Sequence, residues 1–225
     1  MENAFKVITP EILNKYVTGK QPWDLGNETL YELCRRHPGH ANDQEIIAKI
    51  WLIGRAYAAA IERRKQKPDD FIGDDFYTKK VEPQISDSPI DEWFSVLKDI
   101  KDVNEENLTS LLDTHFKLMN LFKDISGLEK RSLASKYLHF HFRDLFFIFD
   151  SRAVAAIQKL SGKIERTGHY AVKVDDEYRK FCEKCLQVRR HIEENYGQRL
   201  TPRQLDNLLL YIADDSFNLK SNPLP

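Results

Sequence analysis

The sequence predicts an all-α protein of about ten helices, arranged as one globular unit or two helical lobes. Three observations predict it. Apolar residues recur at steps of three and four along nearly the whole chain, the spacing that gathers side chains on one helix face. Strand–helix alternation is missing, which excludes a doubly wound nucleotide-binding sheet. The apolar runs are also punctuated by capping and stopping residues where helices would begin and end. The 225 residues carry 34 Lys and Arg against 35 Asp and Glu, a net charge of -1, with 31% charged and 41% hydrophobic residues. That balance excludes a disordered chain and a uniformly basic nucleic-acid coat, while leaving room for a local basic face.

Thr9-Pro10-Glu11 opens the first helix, with Thr as N-cap, Pro in the first turn and an acid behind it. A loop through Gln21, Pro22, Trp23 and Asn27 leads to a short helix over 28–36, which His37-Pro38-Gly39-His40 stops. Asn42 caps a long helix expected over 42–64, with Ile46, Ile50, Ile53, Tyr57 and Ile61 as its stripe. The Ala58-Ala59-Ala60 run in it suits a close helix crossing. Residues 65–89 read as irregular, and a lobe boundary is placed near 67–89. Further helices follow from Ser88-Pro89, from Asn104 or Glu105 to Gly127, and over 128–142. Residues 145–149 read as a short extended connection. Asp150-Ser151 caps the next helix, a loop is expected over 163–173, and a long helix spans 175–196. Thr201-Pro202 opens the last helix, with a loose tail over 216–225.

Three cysteines suit a reducing compartment rather than a disulfide scaffold. The first ten residues show no signal-peptide core, and no apolar run approaches the roughly 18 residues that span a bilayer. A cytoplasmic protein without a membrane partner is the expectation. No metal site and no cofactor are indicated. Cys34, His37 and His40 lack a fourth ligand. Cys182 and Cys185 lie mid-helix on an apolar face, and Asp69-Asp70 and Asp74-Asp75 lack calcium-loop spacing.

The informative stretch runs from Asp124 to Leu160. A helix ends at Gly127, a tight turn follows, and the next helix opens on Lys130 and Arg131. Backbone N–H groups at a helix start can receive an anion, and nearby cations add to that. Lys130, Arg131, Lys136, Arg143, Arg152 and Lys159 outnumber Glu129, Asp144 and Asp150 here. Asp150 stands at the next helix start, where its carboxylate can cap backbone N–H groups or point into a cleft.

Gly127 followed by Lys130 and Arg131, the Ala134-Ser135-Lys136 phrase, and Asp150-Ser151-Arg152-Ala153-Val154 about twenty residues on together resemble the helix-hairpin-helix DNA glycosylases. The resemblance covers about 35 residues. It implies an all-α fold of two lobes around a DNA cleft, duplex DNA as partner, and cleavage of the N-glycosidic bond of a modified base in DNA repair. It also implies Asp150 as a catalytic carboxylate, Lys130 as a candidate amine, and Gly127, Lys130, Arg131, Ser132, Lys136 and Arg152 as DNA contacts. The family's second hairpin glycine falls at Glu129, and its lysine falls at Arg131, which cannot act as an amine nucleophile. Lys136 is the fallback amine. The iron–sulfur cluster of some members needs four cysteines and is excluded on ligand count. Ala134 to Phe140, Phe149 to Arg152 and Thr201 to Asp206 also resemble a signature of helical proteins to which no activity is attached. The alternative expectation is therefore a non-catalytic helical protein that works through protein or nucleic-acid contacts.

Overall fold

Five helices start where a short polar side chain, from Thr9, Asn42, Asp150, Asp175 or Thr201, takes up a backbone N–H that would otherwise be left over. The computed structural model describes residues 4–63, 74–160 and 172–221, with side chains omitted at 4, 6 and 215–221. Thr9 Oγ1 accepts the Ile12 N–H at 3.4 Å and opens α1, Pro10–Leu13, which widens into a π turn over Asn14–Thr18. The second helix, α2, spans Asp24–Arg36, four residues longer at its start than expected. Asp24 accepts the Gln21 N–H at 2.8 Å and begins the helix there, so Asn27 lies inside it and is buried.

Asn42 Oδ1 accepts the Glu45 N–H at 3.1 Å and opens α3, Asp43–Ala56. The expected continuation to 64 does not occur. Ala58 adopts φ 50, its N–H reaches Arg55 O at 3.3 Å, and the Ala59 N–H reaches Gly54 O at 2.8 Å. These are the paired bonds of a Schellman ending, with alanine where glycine is usual. The chain folds back tightly enough that a Cβ on Gly54 would lie 3.0 Å from Ala60 Cα. The alanine run thus serves a reversal, not a helix crossing. Left-handed backbone costs a non-glycine residue about 1 kcal/mol. Ala58→Gly is therefore expected to stabilise the protein by roughly 0.5–1 kcal/mol, read as a rise in Tm; an unchanged or lower Tm would contradict this.

The second half of the stretch read as irregular is helical. It comprises α4, Asp74–Phe76, a π turn over Tyr77–Val81, and α5, Glu82–Ser86. Phe76, Tyr77, Val81 and Ile85 are buried. Their four-residue spacing was masked by the acids and by Pro83, which a helix tolerates in its first turn. The same apolar cluster takes residues from both sides of 67–89. Then come α6, Ile90–Ser95, and α7, Leu108–Ser126, closed by Gly127 at φ 76.

Helix α8, Arg131–His141, is the centre of the molecule. It is buried from Leu133 through Phe140 and packs on α2, α3 and α7. The remaining helices are α9, Ser151–Leu160, α10, Asp176–Tyr196, and α11, Pro202–Ser221. Asp175 caps α10 by accepting the Tyr178 N–H at 2.7 Å. Thr201 and Gln204 exchange hydrogen bonds at 2.9 and 3.2 Å, a capping box at the start of α11. This helix packs along α9 and on the turn after α1. It runs to Ser221, so the tail read as loose from 216 is helical over its first residues, while 222–225 lie outside the described residues. The loop expected over 163–173 also lies outside them, except for its last two residues. No strand occurs among the described residues, and no helix is long and apolar enough to cross a membrane.

Candidate functional site

Residues 145–149 connect α8 to α9 without helix, and Leu145 through Ile148 are buried. A buried non-helical segment must find partners for its backbone, and three buried side chains supply them. His139 Nδ1 donates to Phe146 O at 2.8 Å, the Tyr178 hydroxyl donates to Phe147 O at 2.9 Å, and Ser135 Oγ accepts the Phe149 N–H at 3.0 Å. With its Nδ1 proton committed, His139 accepts at Nε2 from the Tyr31 hydroxyl at 2.5 Å. Burial pushes its pKa down to about 3.

This clamp delivers Asp150 to the start of α9. Its Oδ1 accepts the Ala153 N–H at 2.9 Å, so it caps the helix, and it is half-buried on the wall of a cavity of about 1090 Å³. That cavity gathers residues remote in sequence: Trp23 and Asn27, Tyr57 and Ala58, Ser132 and Lys136, Asp150 and Arg152, Arg203 and Asp206. Lys136 is only 2% exposed, and its Nζ donates to Ser132 Oγ at 2.7 Å. Burial lowers the pKa of this amine, against the pull of Asp150 and Asp206. It also lies 5.7 Å from the centre of the Tyr57 ring. Trp23, 75% exposed, stands at the cavity margin.

Asp206 is 3% exposed and accepts from Arg203 Nη1 at 2.6 Å. Burial raises its pKa to about 7, with Asp150 adding to the rise and Arg203 and Lys136 opposing it. A carboxyl group whose pKa rises on folding favours the native state most when protonated. Its contribution is full below the unfolded value near 4 and is lost as pH rises toward 7. Asp206→Asn keeps an oxygen for Arg203 and removes the burial of charge. It is expected to raise stability at pH 8 by about 1–3 kcal/mol and to change it little at pH 4, as measured by urea melts at both values. A loss of stability at pH 8 would refute the account.

The hairpin residues border a second cavity of about 810 Å³, lined by Arg63, Lys123, Gly127, Glu129, Lys130 and Arg131 among others. It shares Ala58, Arg63, Ser132 and Phe149 with the first. Lys130 belongs to this cavity and not to the cavity of Asp150. Its Nζ donates to Arg63 O at 2.6 Å. Arg131 grips Asp175 through two bonds at 2.5 and 2.7 Å, and Lys123 pairs with Glu129 at 3.1 Å. Arg152 lines the larger cavity and pairs with Asp214 at 2.5 Å. The cations read as phosphate contacts thus have internal partners. Of the two amines considered, Lys136 and not Lys130 shares a cavity with Asp150.

Asn27, Tyr57, Arg203 and Asp206 were not singled out as site residues in the sequence. The phrase Thr201 to Asp206 carried a signal, since Arg203 and Asp206 are three apart and share a helix face. Elsewhere, His40 bonds Asp91 at 2.7 Å and the Tyr137 hydroxyl at 2.8 Å, His37 pairs with Glu45 at 2.8 Å, and Cys34 is a buried free thiol. Cys182 and Cys185 are also buried and free. No cluster of three potential metal ligands occurs among the described residues. Compared with known protein families, curated proteins and solved structures, the chain matches none.

Proposed function

We propose that this protein binds DNA and cleaves the N-glycosidic bond of a base extruded into the larger cavity. The observation that carries the proposal is the buried Lys136 amine in the same cavity as the Asp150 carboxylate. Burial favours the neutral amine, the form that is a nucleophile. In the reaction the Lys136 nitrogen attacks the sugar C1′. The C1′–N bond breaks, and the base leaves with its electron pair and takes up a proton. The nitrogen loses its own proton and the sugar ring opens, leaving an imine between Lys136 and C1′. The Asp150 carboxylate opposes the positive charge that develops on the sugar as the base departs. Tyr57, Phe149 and Trp23 supply aromatic surface for a base out of its stack. Gly127 and Ser132 line the hairpin cavity beside it, and in this reading they would contact a backbone phosphate.

The internal pairing of Lys123, Lys130 and Arg131 favours a second reading, a non-catalytic helical protein working through contacts. Two measurements separate the readings. Fluorescence anisotropy with a duplex carrying a tetrahydrofuran abasic analogue, against undamaged duplex at several salt concentrations, reports whether an extrahelical site exists. Borohydride treatment with a natural abasic duplex reduces any imine to a permanent cross-link. The expected result is tighter binding of the abasic duplex, weakening with salt, and a covalent complex. Asp150→Asn retains an oxygen for the Ala153 N–H and so keeps the cap. It is expected to lose base release with Tm held. Absence of both preference and cross-link would establish the second reading.

A further inference from the structure

Arg63 stands where the two cavities meet, lining both together with Ala58, Ser132 and Phe149. The residue is exposed, yet three hydrogen bonds hold it in place. Its N–H donates to Ala60 O at 3.1 Å, its Nη1 donates to Ala58 O at 3.0 Å, and its carbonyl accepts from Lys130 Nζ at 2.6 Å. A guanidinium is a fork of N–H donors, and one bond to Ala58 leaves most of it unspent. No carboxylate of the described residues pairs with it. The other cations bordering the cavities differ. Lys123 is paired with Glu129, Arg131 with Asp175, Arg152 with Asp214 and Arg203 with Asp206. Lys136 is buried. The exposed positive charge shared by both cavities is therefore that of Arg63.

Ser132 lines the same junction. Its Oγ accepts from Lys136 Nζ at 2.7 Å, and its own proton reaches no acceptor among the described residues. A hydroxyl donates once and accepts twice, so it can serve an anion and the Lys136 amine together. An arginine fork with a hydroxyl on the same junction suits the oxygens of a phosphate. A strand of DNA supplies one in the right place. A sugar that reaches Lys136 lies beside Ser132, and the path from there into the hairpin cavity runs over the junction. We infer that Arg63 and Ser132 grip a phosphodiester adjoining the extruded nucleotide, and so fix which nucleotide of the strand enters the larger cavity. This rests on the glycosylase reading and adds to it the backbone contact expected of the hairpin cations Lys130 and Arg131.

The test uses the full chain and a duplex carrying one tetrahydrofuran abasic analogue. The duplex is made with native phosphates, or with an uncharged methylphosphonate on the 5′ or the 3′ side of the analogue. Anisotropy titrations at several salt concentrations are expected to show one of the two methylphosphonate duplexes bound about fivefold or more weaker than the native one. The slope of log K against log salt should fall by about one for that duplex. Arg63→Gln is expected to cause the same loss with the native duplex, and no further loss with that methylphosphonate duplex. Lys123→Gln, whose amine is already spent on Glu129, is expected to bind as the wild type does. Equal binding of all three duplexes by the wild type, or an Arg63→Gln loss that is the same on all three, overturns the Arg63 assignment alone when borohydride capture persists. Absence of binding to the native abasic duplex at low salt, with no capture of a natural abasic duplex, overturns both it and the glycosylase reading.

Discussion

Lys136→Met is expected to abolish borohydride capture of abasic DNA while leaving Tm within a few degrees of the wild type. The side chain is 2% exposed and has one hydrogen-bond partner, Ser132 Oγ. Holding an amine there costs desolvation, which a methionine of similar length avoids. Against that saving stands the loss of a positive charge near Asp206, a carboxyl that burial already holds toward its neutral form. The two effects oppose each other, and the net change should stay within about 1–2 kcal/mol. A lysine kept for structure alone would behave differently. Its removal would strand buried acid and cost several kcal/mol, and Lys136→Arg would restore stability. Arginine keeps the charge but forms no imine, so both variants should be silent in the capture assay. Full capture by either variant would remove Lys136 from the mechanism.

The largest effect on stability is expected from mild acid. His40, His115 and His139 are buried, and burial lowers their pKa values to about 4, 4 and 3. His141 is also held well below the usual range by burial, with Lys49 and His40 adding to it. A histidine whose pKa falls on folding favours the native state while neutral. Its contribution is present above the unfolded value near 6.5 and is lost as pH falls toward the folded value. All of these shifts run in the same direction, so the losses add as the pH falls. Asp206 works in the opposite sense, gaining as pH falls from about 7, but it is one group against several. Cooperative loss of helical circular dichroism is expected between about pH 6 and 4. An undiminished Tm at pH 4 would show that these imidazoles take up protons without leaving the core.

The capping residues at Thr9, Asn42 and Thr201 were legible because capping is local, each needing only a partner three residues on. The turn at Gly127 and the position of Asp150 at a helix start were legible for the same reason. The reversal at Ala58 was not, because it depends on the chain passing over Gly54, and alanine gives no hint of left-handed backbone. Helices α4 and α5 were hidden by charge, since a short helix with one buried face shows few apolar residues per turn. The cavity was half legible. Asp150 and Lys136 come from one stretch and could be named together, whereas Asn27, Tyr57, Arg203 and Asp206 are joined only by tertiary packing. The hairpin cations looked available because a sequence lists charges without their partners. Asp175 lies far along the chain from Arg131, and a partner of Lys130 is the main-chain carbonyl of Arg63.

The clamp on residues 146–149 has a thermodynamic consequence. The carbonyls of Phe146 and Phe147 and the Phe149 N–H are held by His139, Tyr178 and Ser135, all buried. A connection without regular structure therefore shares the fate of the core, and its amides should exchange with deuterium as slowly as those of α8. Asp150 already stands in place before any ligand arrives. Binding then spends no conformational entropy on ordering that segment.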